Sequence, residues 1–293
     1  MSYNEVIQKS KFTFDTEIST LDILNNQKGG GIQTGIGDIL YIGLLLKNKL
    51  IDFPLYINLS TFINNPYRLN NPLQNFTFTV DLLNLIYDEN EIVFFYDNNI
   101  TYTSWEDKII NVKHNLILQN KFNFVNLFNK EYIVFHTKCR FSSNFNYNEL
   151  KHNIYNFCKK FKTKYQIIIW GEQIMPSNFE TDVLKITTIY EELKQLNNNN
   201  EVLDLTQENI YDNLNIENYL KLINVYNKSR LNIFCGVSGG NLASCICFGT
   251  NSICFNSKSS FDYVLNNNNM CNNLKICETY VDFFSSIENI CNN

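Results

Sequence analysis

The chain has 293 residues, 44% of them hydrophobic, and a formal net charge of −5. That is enough apolar material for one large core or two domains of about 150 residues. The acidic balance leaves no basic face for a nucleic-acid backbone, which excludes nucleic acid as a partner class. The longest apolar run, residues 39–46, is far too short for a transmembrane segment, and no basic start with an apolar core and cleavage site opens the chain. These features predict a soluble, cytosolic (cytoplasmic) protein.

Nine cysteines, an odd number set in apolar stretches such as "SCICFGTNSICF" (244–255), read as buried reduced thiols rather than a disulfide framework. Cys245, Cys247 and Cys254 have neither paired CxxC spacing nor a nearby His, so core packing outweighs a metal site there. Asn, Ile, Phe, Tyr and Lys are abundant, the pattern of AT-rich genomes such as those of some giant viruses and protists. Sequons and the Asn runs at 197–200 and 266–269 follow from that bias, and the runs mark exposed loops.

In chain order, "LDIL" (21–24) predicts a strand, followed by "KGGGIQTGIGDILYIGLLL" (28–46) with five glycines in its first ten positions. A Walker loop requires Lys and Ser/Thr after its last glycine, but Gly37 precedes Asp38. The dinucleotide spacing fails as well, since Gly29 and Gly31 lead to Thr34, with Gly35 one position late. What remains is a permissive loop around Gly35 and Gly37 with a carboxylate at the first turn of a helix. Asp38 there is either an N-terminal cap or a carboxylate held ionised by the helix dipole and ready to accept a proton.

Further strands are predicted at "PLYINL" (54–59), "FTFTV" (76–80) and "EIVFFY" (91–96), and a domain boundary near Asn129 and Lys130. Residues 1–130 form the first α/β domain and residues 131–293 a second. The second domain alternates strands with helices, the pattern of a parallel sheet. Its strands are "YIVFH" (132–136), "YQIIIW" (165–170), "EVLDL" (201–205), "LNIFCG" (231–236) and "NSICFN" (251–256). Helical spacing marks residues 147–161, 180–196 and 216–229, and "GNLASCICFG" (240–249) reads as a short buried helix. The final stretch, "TYVDFFSSIENI" (279–290), is amphipathic and is expected to pack back across the cleft onto the first domain. Two such Rossmann-like domains facing each other place a ligand at the carboxyl ends of their strands.

"TGIGDILYIGLLLKNKL" (34–50) resembles the N-terminal motif of the bacterial lipopolysaccharide heptosyltransferases, glycosyltransferase family nine. In the same order, "FHTKCR" (135–140) and "IIIWGE" (167–172) are similar to that family's first two donor-domain strands. "DLT" (204–206) matches a similar triplet, and residues 232–255 are similar to its strand, glycine turn, small-residue helix and strand. The resemblance implies a two-domain GT-B architecture with a cleft. It also implies metal-independent transfer of a sugar from a nucleoside diphosphate donor to a glycan or related acceptor, with no cofactor.

Asp38 then corresponds to the base that deprotonates the acceptor hydroxyl. A departing nucleoside diphosphate needs positive charge or amide donors, and Lys138, Arg140 and the amides of Ser238, Gly239 and Gly240 at a helix start, with Asn241 beside them, are the candidates for that part. Glu172, with Glu180 as its rival, is assigned to the ribose. His136 is either a structural histidine or a neighbour of the phosphates. The chain departs from the family at "VSGGNLA" (237–243), where Ser238 replaces an Asp and Ala243 a His; this removes the ground for naming heptose as the donated sugar. Two alternatives stand beside the transferase: a nucleotide-sugar 2-epimerase, and a degenerate transferase that binds a nucleotide or glycan without turnover.

Overall fold

Unbroken apolar runs form strands covered on both faces, and apolar residues recurring every third or fourth position form helices. The computed structural model describes residues 2–19, 37, 39–40, 54–63, 72–98, 123–142, 146–173, 184–196, 202–206, 215–236, 240–255 and 274–293.

The first half contributes α1 (Tyr3–Lys9), β1 (Thr13–Asp15), β2 (Leu55–Asn58), α2 (Ser60–Ile63), α3 (Pro72–Ile86) and β3 (Ile92–Phe95). Ser2 and Glu5 close a capping box at the start of α1. The three strands are parallel in the order β1-β3-β2, with Thr13 opposite Val93 and Leu55 opposite Ile92. The strands expected at 54–59 and 91–96 are present. The one expected at 21–24 lies outside the described residues.

"FTFTV" is not a strand but the interior of α3. Pro72 suits the first helical position, and the Thr77 hydroxyl donates to the Leu73 carbonyl one turn back at 2.8 Å. Phe76, Val80 and Leu83 then line up at helical spacing and are buried. Phe76 meets the rings of Tyr3, Phe62 and Phe94 at 5.2, 5.0 and 5.8 Å. The alternation mimics a strand because α3 is covered on more than one side.

The second half contributes β4 (Tyr132–Ser142), α4 (Tyr147–Phe161), β5 (Gln166–Trp170), β6 (Leu184–Thr188), α5 (Tyr190–Lys194), β7 (Val202–Asp204), α6 (Ile216–Lys228), β8 (Leu231–Gly236), α7 (Gly240–Cys247), β9 (Ser252–Phe255), β10 (Leu274–Cys277) and α8 (Tyr280–Asn292). The helix expected across 180–196 is corrected. β-Branched Ile186, Thr187 and Thr188 extend as β6, antiparallel to β4, and among the described residues of that window only 190–194 turn helical. The strand expected to stop at His136 runs on to Ser142, because β6 lies back along that extension.

The parallel strands lie in the order β10-β9-β8-β4-β5-β7. Counted along the chain without β6, this is 3-2-1-4-5-6, the doubly wound order whose ligand crevice opens where chain direction reverses. That switch point lies between β4 and β8.

Side chains alternate strictly between two cores. Ile133, Phe135, Ile167, Ile169, Ile233 and Cys235 join Leu150, Ile154 and Phe157 of α4 and Phe283 and Ile287 of α8. Tyr132, Val134, Ile168, Trp170 and Phe234 face the other way, toward Leu222 of α6 and Leu242 of α7. That second core also takes in Phe76, Leu83 and Phe94 of the first half. Phe78 on α3 meets Tyr219 on α6 edge to face at 5.5 Å. Before β4, Asn224 exchanges two hydrogen bonds with the Val125 backbone, at 2.8 and 2.9 Å.

The terminal helix, expected to cross to the first domain, packs on the second sheet instead. Phe255 of β9 stacks on Tyr280 and touches Phe283, and Glu288 pairs with Lys160 of α4. Its aromatic face matches the edge formed by β9 and β10, which is the nearest apolar surface. All eight cysteines among the described residues are buried, and none of them is in a disulfide. No helix among the described residues is long and apolar enough to cross a membrane.

Candidate functional site

A bulge shapes the switch point. Phe135 lies opposite Ile233 and Cys139 opposite Cys235, so residues 136–138 of β4 stand against Phe234 alone. Bulges bend a strand and re-aim its side chains, and here they turn His136, Thr137 and Lys138 out of the regular ladder to β8.

His136 is buried and stacks on Phe234 at 5.3 Å between ring centroids, with the planes 26° apart. The Asn241 side-chain amide is hydrogen-bonded to its Nε2 at 2.8 Å. This bond spans the switch point from the bulge in β4 to the first turn of α7. The neighbouring ladder ends with His136 opposite Trp170, and beyond it the Lys138 Nζ and Glu172 Oε1 are 2.7 Å apart. The two side chains are 21% and 22% exposed, so they form the outer rim above the more deeply buried His136 and Trp170.

Glu172 follows a glycine that no other residue replaces freely. Gly171 has φ +117°, and a Cβ there would meet Thr137 Oγ1 at 2.4 Å. The Thr137 and Thr188 hydroxyls both donate to the Glu172 carbonyl, at 2.8 and 2.9 Å. Burial raises the Glu172 carboxyl pKa, but the positive charges of His136 and Lys138 and the Lys138 hydrogen bond outweigh it. The group ends below its ordinary value.

Beside this block, Asp204 at the end of β7 accepts from Tyr190 Oη at 2.6 Å and from the Thr206 amide at 2.9 Å. Its Oδ1 also takes the Thr206 hydroxyl, leaving Thr206 Oγ1 to accept from Gln173 Nε2 at 2.8 Å. Burial first, then the Asp204 bond and charge, push the Tyr190 phenol up to about 12. Asp204 is thus committed to internal partners, and the side chain it positions is Gln173.

Of the residues singled out by sequence, His136 and Asn241 meet in one bond and Lys138 and Glu172 in another. Gly240 opens α7. The Arg140 backbone lies in β4 opposite Ile186 and Gly236. Gly37 is helical, and the next described residues, Ile39 and Leu40, are buried, with the Ile39 carbonyl accepting from Tyr87 Oη at 2.9 Å. Asp38, Gly35, Glu180, Ser238 and Gly239 lie outside the described residues.

Sequence reasoning missed Thr137, Trp170, Gln173 and Thr188. The first three had a visible signal, a cluster of polar and aromatic side chains just where two apolar strands end. Thr188 had none, because its strand was read as helix. Among the described residues no group of His, Cys, Asp and Glu is arranged to hold a metal ion. Comparison of the chain with protein-family models, curated proteins and solved structures finds no match.

Proposed function

We propose that the chain is a GT-B glycosyltransferase that moves a sugar from a nucleoside diphosphate onto the hydroxyl of a glycan or related acceptor without a bound metal. One observation carries the reading: the His136–Asn241 bond crosses the switch point of a 3-2-1-4-5-6 sheet, with Lys138 and Glu172 beside it. Sheets of this order take nucleotides there. The ordered resemblance to the heptosyltransferases adds the chemistry.

In this reading the acceptor oxygen attacks the anomeric carbon, Asp38 takes its proton, and the nucleoside diphosphate leaves with the bonding electrons. Lys138, Arg140 and the amides of Ser238, Gly239 and Gly240 meet the growing charge on the diphosphate, and Glu172 takes ribose hydroxyls. The test is a panel of nucleotide sugars and glycan acceptors. Acceptor-dependent release of nucleoside diphosphate is expected, with Asp38→Asn slower by about 10²-fold or more. Unchanged turnover in that variant removes Asp38 from the mechanism.

A second reading, a binding module that has lost turnover, draws support from Ser238 and Ala243 in place of the family's Asp and His, and from Lys138 being engaged by Glu172. Nucleotide binding by calorimetry with no product from any donor is the result that favours it.

A further inference from the structure

The chain is acidic overall, with 24 Lys and Arg against 29 Asp and Glu, yet one edge of the second sheet is basic. Net charge sums over the whole surface and does not show such an edge. Lys130, Arg230 and Lys164 stand just before β4, β8 and β5, and β4 is the parallel neighbour of the other two. Their amino ends therefore lie side by side. Helices that return over a parallel sheet end at the same edge, where α4 finishes with Lys159, Lys160 and Lys162 and α6 with Lys228. Among the described residues, the acidic side chains around these strand and helix ends are Glu131 and Glu288, and Glu288 is paired with Lys160.

Three of these cations have a structural task. The Lys130 ammonium donates to the Lys162 and Thr163 carbonyls past α4, at 3.3 and 2.9 Å. At the end of α8, Lys164 donates to the Cys291 carbonyl at 2.6 Å and Arg230 to that of Ile290 at 3.2 Å. A helix end offsets only about half a unit charge, so the edge stays positive. Lys130, Lys159, Lys160, Lys164 and Lys228 are exposed.

Apolar side chains interrupt the edge. Residues 124–130 run along it into β4: Phe124 meets Phe248 just after α7 at 6.0 Å, the Val125 backbone is bonded to Asn224 of α6, and Phe128 packs on Tyr132 at 4.9 Å. Phe124 and Phe128 pack on the core, whereas Val125 and Leu127 are 60% and 49% exposed. Lys130 follows them in the chain, and Lys228 is one helical turn beyond Asn224. Toward α7 the edge gives way to an acidic turn, residues 88–91, next to Tyr87, which lies within electrostatic range of Cys247.

A nucleic-acid backbone answers the lysines but offers aliphatic side chains no apolar partner. An anionic bilayer answers both, with headgroups for the cations and the acyl boundary for Val125 and Leu127. We propose that this edge docks the protein on the surface of an anionic phospholipid membrane. The switch point opens toward the carboxyl ends of the same strands, so a docked chain turns it away from the bilayer. Docking depends on the amino edge alone and is independent of the glycosyltransferase reading.

The test is cosedimentation of the full chain with vesicles of phosphatidylcholine alone, and of phosphatidylcholine with an equal share of phosphatidylserine. Binding is expected to the second kind only, weakening as salt rises. Each lysine near an anionic surface contributes about fivefold in affinity, so Lys159→Gln with Lys228→Gln weakens binding by about tenfold or more. Val125→Ser with Leu127→Ser, at exposed positions, is expected to keep Tm while weakening binding by about fivefold. A labelled RNA oligonucleotide is the control polyanion. Equal binding to both vesicles, binding to neither, or RNA binding without vesicle binding overturns the proposal. So does phosphatidylserine binding that neither double variant weakens, which places the contact elsewhere. If the serine variant does not fold, the glutamine variant, changed only at exposed lysines, still decides.

Discussion

The Asn241 carboxamide and the His136 imidazole, 2.8 Å apart, tie the bulge in β4 to the first turn of α7 across the point where the sheet reverses its winding. The bond sets the ring against Phe234 and fixes the helix start relative to the bulge. Asn241→Ala is therefore expected to cost about 1 kcal/mol of stability, while lowering nucleoside diphosphate affinity more than that loss of stability would suggest. Thermal melts and calorimetry on the same preparation check it; an affinity unchanged within error contradicts it.

Glu172 gives the site a pH signature. Its carboxyl lies below the ordinary 4.5. A depressed folded-state value adds stability that is present above the unfolded value and is lost as pH falls through the folded one. The wild type should melt above Glu172→Gln at neutral pH, with the difference closing as pH drops below about 4.5. A difference that stays constant into acid contradicts the ion pair with Lys138.

Gly171→Ala introduces strain at φ +117° and drives a Cβ onto Thr137 Oγ1. The expected loss is about 1–3 kcal/mol, together with weakened nucleotide binding because the Glu172 turn moves. Denaturant unfolding measures the first and calorimetry the second. A fully stable variant would mean that the turn is not built as described.

The contact between the two halves of the chain is tested at Phe78 and Tyr219. Phe78→Ala is expected to cost about 3–5 kcal/mol. Tyr219→Phe, which removes the 2.7 Å bond to Ser244 and keeps the ring, costs about 1 kcal/mol. Equal small losses from both would place Phe78 outside the shared core.

Much of the second half was legible in the sequence. Strands such as "QIIIW" are buried on both faces and need no alternation, and α4 repeats Leu150, Ile154, Phe157 and Phe161 at helical spacing with Asn146 as its cap. What failed did so for local reasons. "FTFTV" has strand alternation inside a helix covered on several sides, and "KITTIY" is a β-branched island inside a window rich in helix formers. The site was half legible. His136, Lys138, Glu172 and Asn241 were visible as polar residues at strand ends and a helix start. The bulge that turns them together depends on the pairing of β4 with both β6 and β8, and pairing leaves no mark in a single strand's residues.

The most direct test of the central claim is a crystal structure of the chain with the nucleoside diphosphate it binds. The account predicts the diphosphate between residues 136–138 and the start of α7, with the ribose against Glu172 and Asp38 facing the diphosphate. A nucleotide seated at the opposite ends of the strands, or with Asp38 turned away from the diphosphate, contradicts it.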